Sequence, residues 1–235
     1  DAGCACGYLV EALRNRGVEA YGVDISSYAI EHVSPEIKEF CCVHNIADPL
    51  PSYFPQKYDL VVTIEVLEHL YEEDGKQAIA NLCSYSDKII FTSTPDDISD
   101  QSHVNVQKAE YWCRIFAQNS FYRNLFQAMD WICPWAMFFE KRTDLPNLVD
   151  EYERKLRLEQ NVAVNQETLI RNLREKEDNQ SEYLRNLLKY HEDQQDSKNE
   201  KIVEITCELE RRNQAYSNLL DLYRKEQSQT QYFKT

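Results

Sequence analysis

Asp1-Ala2-Gly3-Cys4-Ala5-Cys6-Gly7, running straight into Tyr8-Leu9-Val10-Glu11-Ala12-Leu13-Arg14, is the stretch that decides how the chain is read. Leu9, Val10 and Leu13 share one helical face and Gly17 terminates it, so a glycine turn opens a helix over residues 7–16. Without Cβ atoms a backbone passes close beside a ligand, and helix-terminal N–H groups face it. A short strand at 20–23 then ends in Asp24, 17 residues beyond Gly7. In a βαβ unit that carboxylate lies beside the turn, where it can accept bonds from both hydroxyls of a ribose. The expected ligand contains adenosine or a relative.

Working outward, helix and strand alternate. Residues 27–33 read as a helix closed by Pro35, and 40–43 as a strand. Tyr58-Asp59-Leu60-Val61-Val62-Thr63-Ile64 is an apolar run of the kind buried on both faces of a parallel sheet. A helix at 75–83, a strand at 88–92, a polar stretch at 95–105, a helix at 108–118 and strands at 121–126 and 136–140 follow. Repeated βα units predict an α/β, doubly wound, mostly parallel sheet of the seven-stranded type, finished by an antiparallel, hairpin-like pair. The pattern asks for a strand ahead of Asp1, so the reading is of a fragment cut inside the domain and weakly stable by itself.

Breaker residues divide the chain. All five glycines lie in the first third and the last proline is Pro146, which predicts a catalytic domain at 1–144 and a helical extension at 145–235. In the extension, steps of four and three give Leu145, Val149, Tyr152, Leu156, Glu159, Ala163, Gln166, Ile170, Leu173, Glu177, Gln180, Leu184 and Leu187. Nine of these thirteen are apolar, a coiled-coil signature. The phase breaks over 191–201 and resumes at Ile202, Ile205, Leu209, Tyr216, Leu219 and Tyr223. Such a helix is expected to pair with a copy of itself or fold back as a hairpin, the alternative being a solvated spacer between domains.

Charge narrows the substrate. Residues 1–146 carry 22 acidic and 11 basic side chains, a poor host for a phosphate backbone, so no nucleic-acid partner is expected. Cys4, Cys6, Cys41 and Cys42 lack zinc-site spacing and read as small buried apolar residues in a reducing compartment. No run approaches a membrane span and no signal peptide is visible, which predicts a cytoplasmic protein.

At this point the chain resembles the class I S-adenosylmethionine-dependent methyltransferases. Asp1-x-Gly3-x-x-x-Gly7, Val23-Asp24, the block Asn45-Ile46-Ala47-Asp48-Pro49-Leu50-Pro51, and Tyr58-Asp59-Leu60 through Glu65-Val66-Leu67-Glu68-His69 resemble four ordered family motifs within residues 1–140. The resemblance implies S-adenosylmethionine as cofactor: Asp1, Gly3 and Gly7 around its methionine portion and Asp24 on the ribose. It also implies Asp48 with the backbone of Ile46 or Ala47 at the adenine amino group, Ile25 on the adenine face, and Glu65 near the sulfonium. The family usually has glycine where Ala5 stands. A dinucleotide oxidoreductase would share Asp24 but has no use for the 45–51 block.

Methyl transfer to a hydroxyl needs an aligned nucleophile and a group to take its proton. Glu65, Glu68 and His69 stand at i, i+3 and i+4, one side of a helix expected after the strand, and His103 follows in a loop. Two readings of function stay open beside a structural one: Glu65, His69 and His103 as acid/base groups, or Glu65, Glu68, His69 and His103 as ligands of Mg²⁺ or a similar divalent metal. The metal set resembles that of small-RNA terminal methyltransferases and of ubiquinone-pathway O-methyltransferases. His103-Val104-Asn105-Val106-Gln107, Glu110-Tyr111-Trp112, Phe116-Ala117, Phe121 and Pro134-Trp135-Ala136 resemble methyltransferase domains of bacterial surface-polysaccharide biosynthesis, although Trp112 and Phe116 also suit a core. The expectation is therefore an O-methyltransferase for a glycan end or small metabolite. Its competitors are a small-metabolite enzyme with no link to polysaccharide and a coiled-coil scaffold whose methyltransferase-like domain is inactive.

Overall fold

The structure, a computed structural model, describes residues 1–192 and 199–232. It divides into two units, Asp1–Arg157 and Leu158–Thr235. Part of the polar break expected at 191–201 lies outside the described residues.

In the first unit, helix α1 (Tyr8–Arg14) starts from Gly7 and buries Val10. Arg14 closes its far end by donating to the Ala20 carbonyl at 2.7 Å and laying its guanidinium over the Phe40 ring. Strand β1 (Gly22–Asp24) pairs in parallel with β2 (Cys41–Val43). Between them α2 (Ser27–Glu31) is started by the Ser26 hydroxyl, which accepts the Ala29 N–H at 3.1 Å, an N-cap. A 3₁₀ helix at Pro35–Phe40, which the periodicity does not announce, completes the connection.

The remaining elements are β3 (Val61–Ile64), α3 (Glu72–Tyr85), β4 (Lys88–Thr92), α4 (Ala109–Gln118), β5 (Phe121–Arg123) and β6 (Met137–Lys141). They form a four-stranded sheet in the order β3-β4-β6-β5, with β3 and β4 parallel and the other pairs antiparallel. The expected seven-stranded, mostly parallel sheet is thus corrected, among the described residues, to a two-stranded parallel sheet and a four-stranded mixed one. The mixture arises because β5 and β6 follow one another through residues 124–136 and can pair only by reversing direction. Residues 1–3 stand between the sheets and bond to both. The Ala2 N–H reaches the Val62 carbonyl at 2.8 Å, and Val23 and Gly3 exchange N–H bonds with the Asp1 and Val23 carbonyls at 3.0 and 2.8 Å. Strand order reverses at this segment, which puts a crevice at the C-terminal ends of β1 and β3.

The core lies between the four-stranded sheet and α3 and α4. Phe91, Trp112, Phe116 and Phe139 are fully buried, and the Phe116 and Phe139 rings stack at 4.0 Å. Each such side chain contributes roughly 3 kcal/mol of burial, so this aromatic cluster fixes β4 and β6, whose adjoining ends border the crevice. Trp112 and Phe116 are core residues. A smaller cluster of Val10, Ile30, Val33 and Ile37 with Cys4 and Cys41 packs under α1. Cys4 and Cys41 are buried as expected, whereas Cys6 and Cys42 are only partly so; the cysteines are free thiols.

Helix α5 (Leu145–Glu192) begins in the first unit, where Tyr152 donates its hydroxyl to the Arg123 carbonyl. In the second unit its seam residues Leu173, Glu177, Gln180 and Leu184 face Leu209, Tyr216 and Leu219 of α6 (Asn199–Tyr232) across a groove of about 360 Å³. Arg174 Nε donates to the Tyr216 hydroxyl at 3.0 Å. Among the described residues no helix is long and apolar enough to cross a membrane.

Candidate active site

The glycine turn is shaped by backbone that side chains avoid. Gly3 has φ +87°, and a Cβ there would stand 2.2 Å from Val66 Cγ2, so the turn lies directly on the residue after Glu65. Gly7, at φ +77°, packs against Ile37. Ala5 adopts φ +46° although it carries a Cβ, a conformation that is unfavourable by about 1–2 kcal/mol for an L residue.

Asp24 ties the turn to β1. Its Oδ2 accepts the Ala5 N–H at 2.8 Å and its Oδ1 the Ser26 N–H at 2.8 Å. An ionised carboxylate offers about four lone-pair sites, so each oxygen keeps one for an incoming hydroxyl. Ile25, beside it, is 73% exposed, an apolar side chain facing open space. In the 45–51 block, Asn45 forms a local turn by accepting the Ala47 N–H on its side chain and the Asp48 N–H on its carbonyl. The Asp48 side chain is exposed, but Ile46 is buried and its carbonyl is taken by Asn81 at 3.1 Å. Of the backbone groups expected to meet adenine, the Ile46 carbonyl and the Ala47 N–H are therefore engaged within the protein. The Asp1 carbonyl is likewise held by Val23.

Beyond β3 the sequence expectation needs correction. Glu65, Glu68 and His69 do not line one helical face, because Glu65 has φ +52° and the helix between β3 and α3 is a single 3₁₀ turn, Leu67–His69. The Glu65 N–H is held by Thr92 at the end of β4, at 2.9 Å to Oγ1 and 3.3 Å to the carbonyl. This clamp forces the left-handed step, after which Glu68 turns inward to 0% exposure and His69 outward. The Glu65 carboxylate accepts the Trp135 indole N–H at 2.9 Å.

Glu68, His69 and His103 converge, with one donor atom from each lying within 4.8 Å of the others, and the two imidazole rings are 4.7 Å apart. His103 Nδ1 is 2.7 Å from the Asp97 carbonyl, and His69 Nδ1 is 3.0 Å from the Ser102 hydroxyl, contacts that orient both rings. Glu68 Oε1 accepts the Thr94 N–H at 3.5 Å, while Oε2 is buried with no partner. Burial, reinforced by the Glu65 carboxylate, pushes the Glu68 carboxyl up to about 7. The Asp97 carbonyl, with Asp100 and Asp97 nearby, raises the His103 imidazole above its ordinary value. A buried oxygen without a donor and two oriented imidazoles fit a divalent cation, and two nitrogen ligands suit a transition ion better than Mg²⁺. Glu65 stands outside this group.

A second cavity of about 300 Å³ opens at the N-terminal ends of the strands, lined by Tyr21, Phe54, Tyr58 and Leu60 and also by Asp1, Ile46 and Asp48, three of the residues expected at the cofactor. Asp24, Gly3 and Glu65 do not line it. Thr92 and Trp135 were not expected at the site. Both act from far along the chain, and the sequence around them carries no local signal of that contact.

A family described as "Methyltransferase domain" matches residues 1–85, from the glycine turn through His69 to the end of α3, while Thr92, His103 and Trp135 lie beyond the match. Among curated proteins, the chain is 30% identical over 100 residues to a magnesium-protoporphyrin O-methyltransferase of Synechocystis sp., covering 40% of this chain and 42% of that protein. It is 32% identical over 84 residues to a ubiquinone biosynthesis O-methyltransferase of Saccharophagus degradans, covering 34% and 35%. The chain thus spans less than half the length of these relatives. Among solved structures it is similar to the Synechocystis magnesium protoporphyrin IX methyltransferase with bound SAM, at a TM-score of 0.43 and 22% identity over 60% of this chain and 66% of that one. A SAM-dependent methyltransferase from Archaeoglobus fulgidus gives 0.43 and 26% over 52% and 59%.

Proposed function

We propose that the chain is an S-adenosylmethionine-dependent methyltransferase that methylates a hydroxyl of a small molecule. The observation that carries this reading is the bond from the Ala5 amide to Asp24, which brings the glycine turn and the ribose-binding carboxylate together at the strand ends. The methyltransferase-domain match and two O-methyltransferase relatives support it. Gly3 and Gly7 would border the methionine portion, Asp24 would take the ribose hydroxyls, and Ile25 and Asp48 would meet the adenine. Bound S-adenosylmethionine supplies a methyl group on a sulfonium, open to in-line attack.

The chain's own residues then orient the acceptor and move its proton. Glu65 closes the strand-end side, and His69 or His103 takes the proton from the attacking hydroxyl. Glu68, His69 and His103 would hold a divalent ion, whose chemistry there would be to make an acceptor hydroxyl more acidic. For the acceptor, the curated relatives favour a small metabolite over a glycan end; the glycan reading rests on the resemblance in residues 103–136. The methyltransferase domain is read as 1–144 and the extension as 145–235, self-associating through the coiled coil of a cytoplasmic protein.

Calorimetric titration with S-adenosylmethionine and S-adenosylhomocysteine tests the reading. Binding of both, absent for NADH and weakened at least roughly tenfold, about 1.4 kcal/mol, by Asp24→Ala, is the expected result. A chain that binds neither while remaining folded is a scaffold.

A further inference from the structure

We propose that Trp135 is a positioning residue that latches the loop of residues 124–136 onto Glu65 and thereby fixes the Glu65 carboxylate at the strand-end crevice. The topology makes the contact. Because β6 runs antiparallel to β4, with Met137 opposite Phe91, the residues just before β6 emerge where β4 ends. Thr92 is there, holding the backbone of Glu65, and Trp135 reaches past β4 to the end of β3, a strand with which β6 does not pair.

Both ends of the loop are pinned. At one, Asn124 donates to Glu140 at 2.8 Å and accepts the Phe126 and Gln127 N–H groups; at the other, Ala136 and Met137 are buried. The indole N–H at 2.9 Å from Glu65 Oε1 supplies the link from this loop to the site. Thr92 thus fixes the Glu65 backbone and Trp135 its side chain. Substituting Trp135 frees both the carboxylate and the loop, and substituting Glu65 by alanine removes the carboxylate and frees the loop.

The consequence for the cofactor rests on the methyl-donor reading above; the latch itself does not. Hydrogen exchange of the amides in residues 126–134 is compared in the wild-type chain and in Trp135→Phe, Glu65→Ala and Glu65→Gln, with thermal unfolding reporting that each is folded. Exchange is expected to quicken alike in Trp135→Phe and Glu65→Ala and to stay near wild type in Glu65→Gln, which keeps an oxygen acceptor for the indole. Wild-type exchange in Glu65→Ala overturns the latch. S-adenosylhomocysteine is titrated into the same proteins. Trp135→Phe is expected to weaken binding roughly three- to tenfold, and the Trp135→Phe/Glu65→Ala double variant to bind no worse than Glu65→Ala. Additive losses overturn positioning through Glu65. A wild-type chain that does not bind overturns the methyl-donor reading, while the exchange pattern still decides the latch.

Discussion

The Ala5 amide donates to Asp24 Oδ2 at 2.8 Å, and it does so from a left-handed backbone that a Cβ-bearing residue adopts at a cost. Since the Ala5 side chain is exposed, its methyl group gains little packing in return. Ala5→Gly is expected to stabilise the protein by about 1 kcal/mol, the relief of left-handed strain less the extra freedom of unfolded glycine. Ala5→Val should destabilise it. Urea unfolding monitored by circular dichroism checks both, and an Ala5→Gly protein less stable than the parent would contradict the strained turn.

Glu68 makes stability depend on pH. Its carboxyl titrates near 7 in the folded chain against an ordinary value of 4.5, so the folded state holds a proton that the unfolded state has already released. Below about 4.5 both forms are protonated and there is no penalty; between 4.5 and 7 stability falls, by up to roughly 3 kcal/mol at completion. Metal-free protein in a chelator should therefore melt at a lower temperature at pH 8 than at pH 5.5, and Glu68→Gln should flatten that difference. An unchanged slope in the variant would assign the pH dependence elsewhere.

The same site should bind cations. Mn²⁺ or Zn²⁺ at a hundred times its dissociation constant is expected to stabilise the chain by about 2.7 kcal/mol, and Mg²⁺ by less. His103→Ala, which removes one of the three converging donors, should abolish the gain, whereas His32→Ala, stacked on Tyr28 away from the cluster, should retain it. Differential scanning fluorimetry with each ion reads this directly.

Phe91 is fully buried among Trp112, Phe116 and Phe139 on the strand that carries Thr92. Phe91→Ala is expected to destabilise the fold by about 3–5 kcal/mol, enough to unfold a marginal domain, while Phe91→Leu should lose less than half of that. Denaturant midpoints for the two variants separate a cavity effect from loss of the aromatic contacts.

Local signals in the sequence account for much of this architecture. The run ending at Ile64 and the strand at 88–92 carry periodicities that burial imposes on neighbouring residues. Asp24 could be placed beside the glycine turn because a βαβ unit leaves few alternatives. What could not be read is what distant residues impose. The helical spacing of Glu65, Glu68 and His69 holds only if residue 65 is helical, and Thr92, 27 positions on, twists it out of that conformation. Trp135 meets Glu65 across 70 positions, and no pattern near either residue encodes the pairing. The split into two sheets has no local signal for a similar reason: it depends on which backbone groups of residues 1–3 face Val23 and Val62.

The twisted peptide at position 65 also sets robustness against chemistry. Glycine would relax the left-handed step but remove the acceptor of the Trp135 indole N–H, so relief of backbone strain at this position is obtained only by giving up the carboxylate and the loop contact it makes. A melting temperature is consequently a poor surrogate for competence when variants of this chain are shortlisted, and libraries built on it should keep that codon fixed.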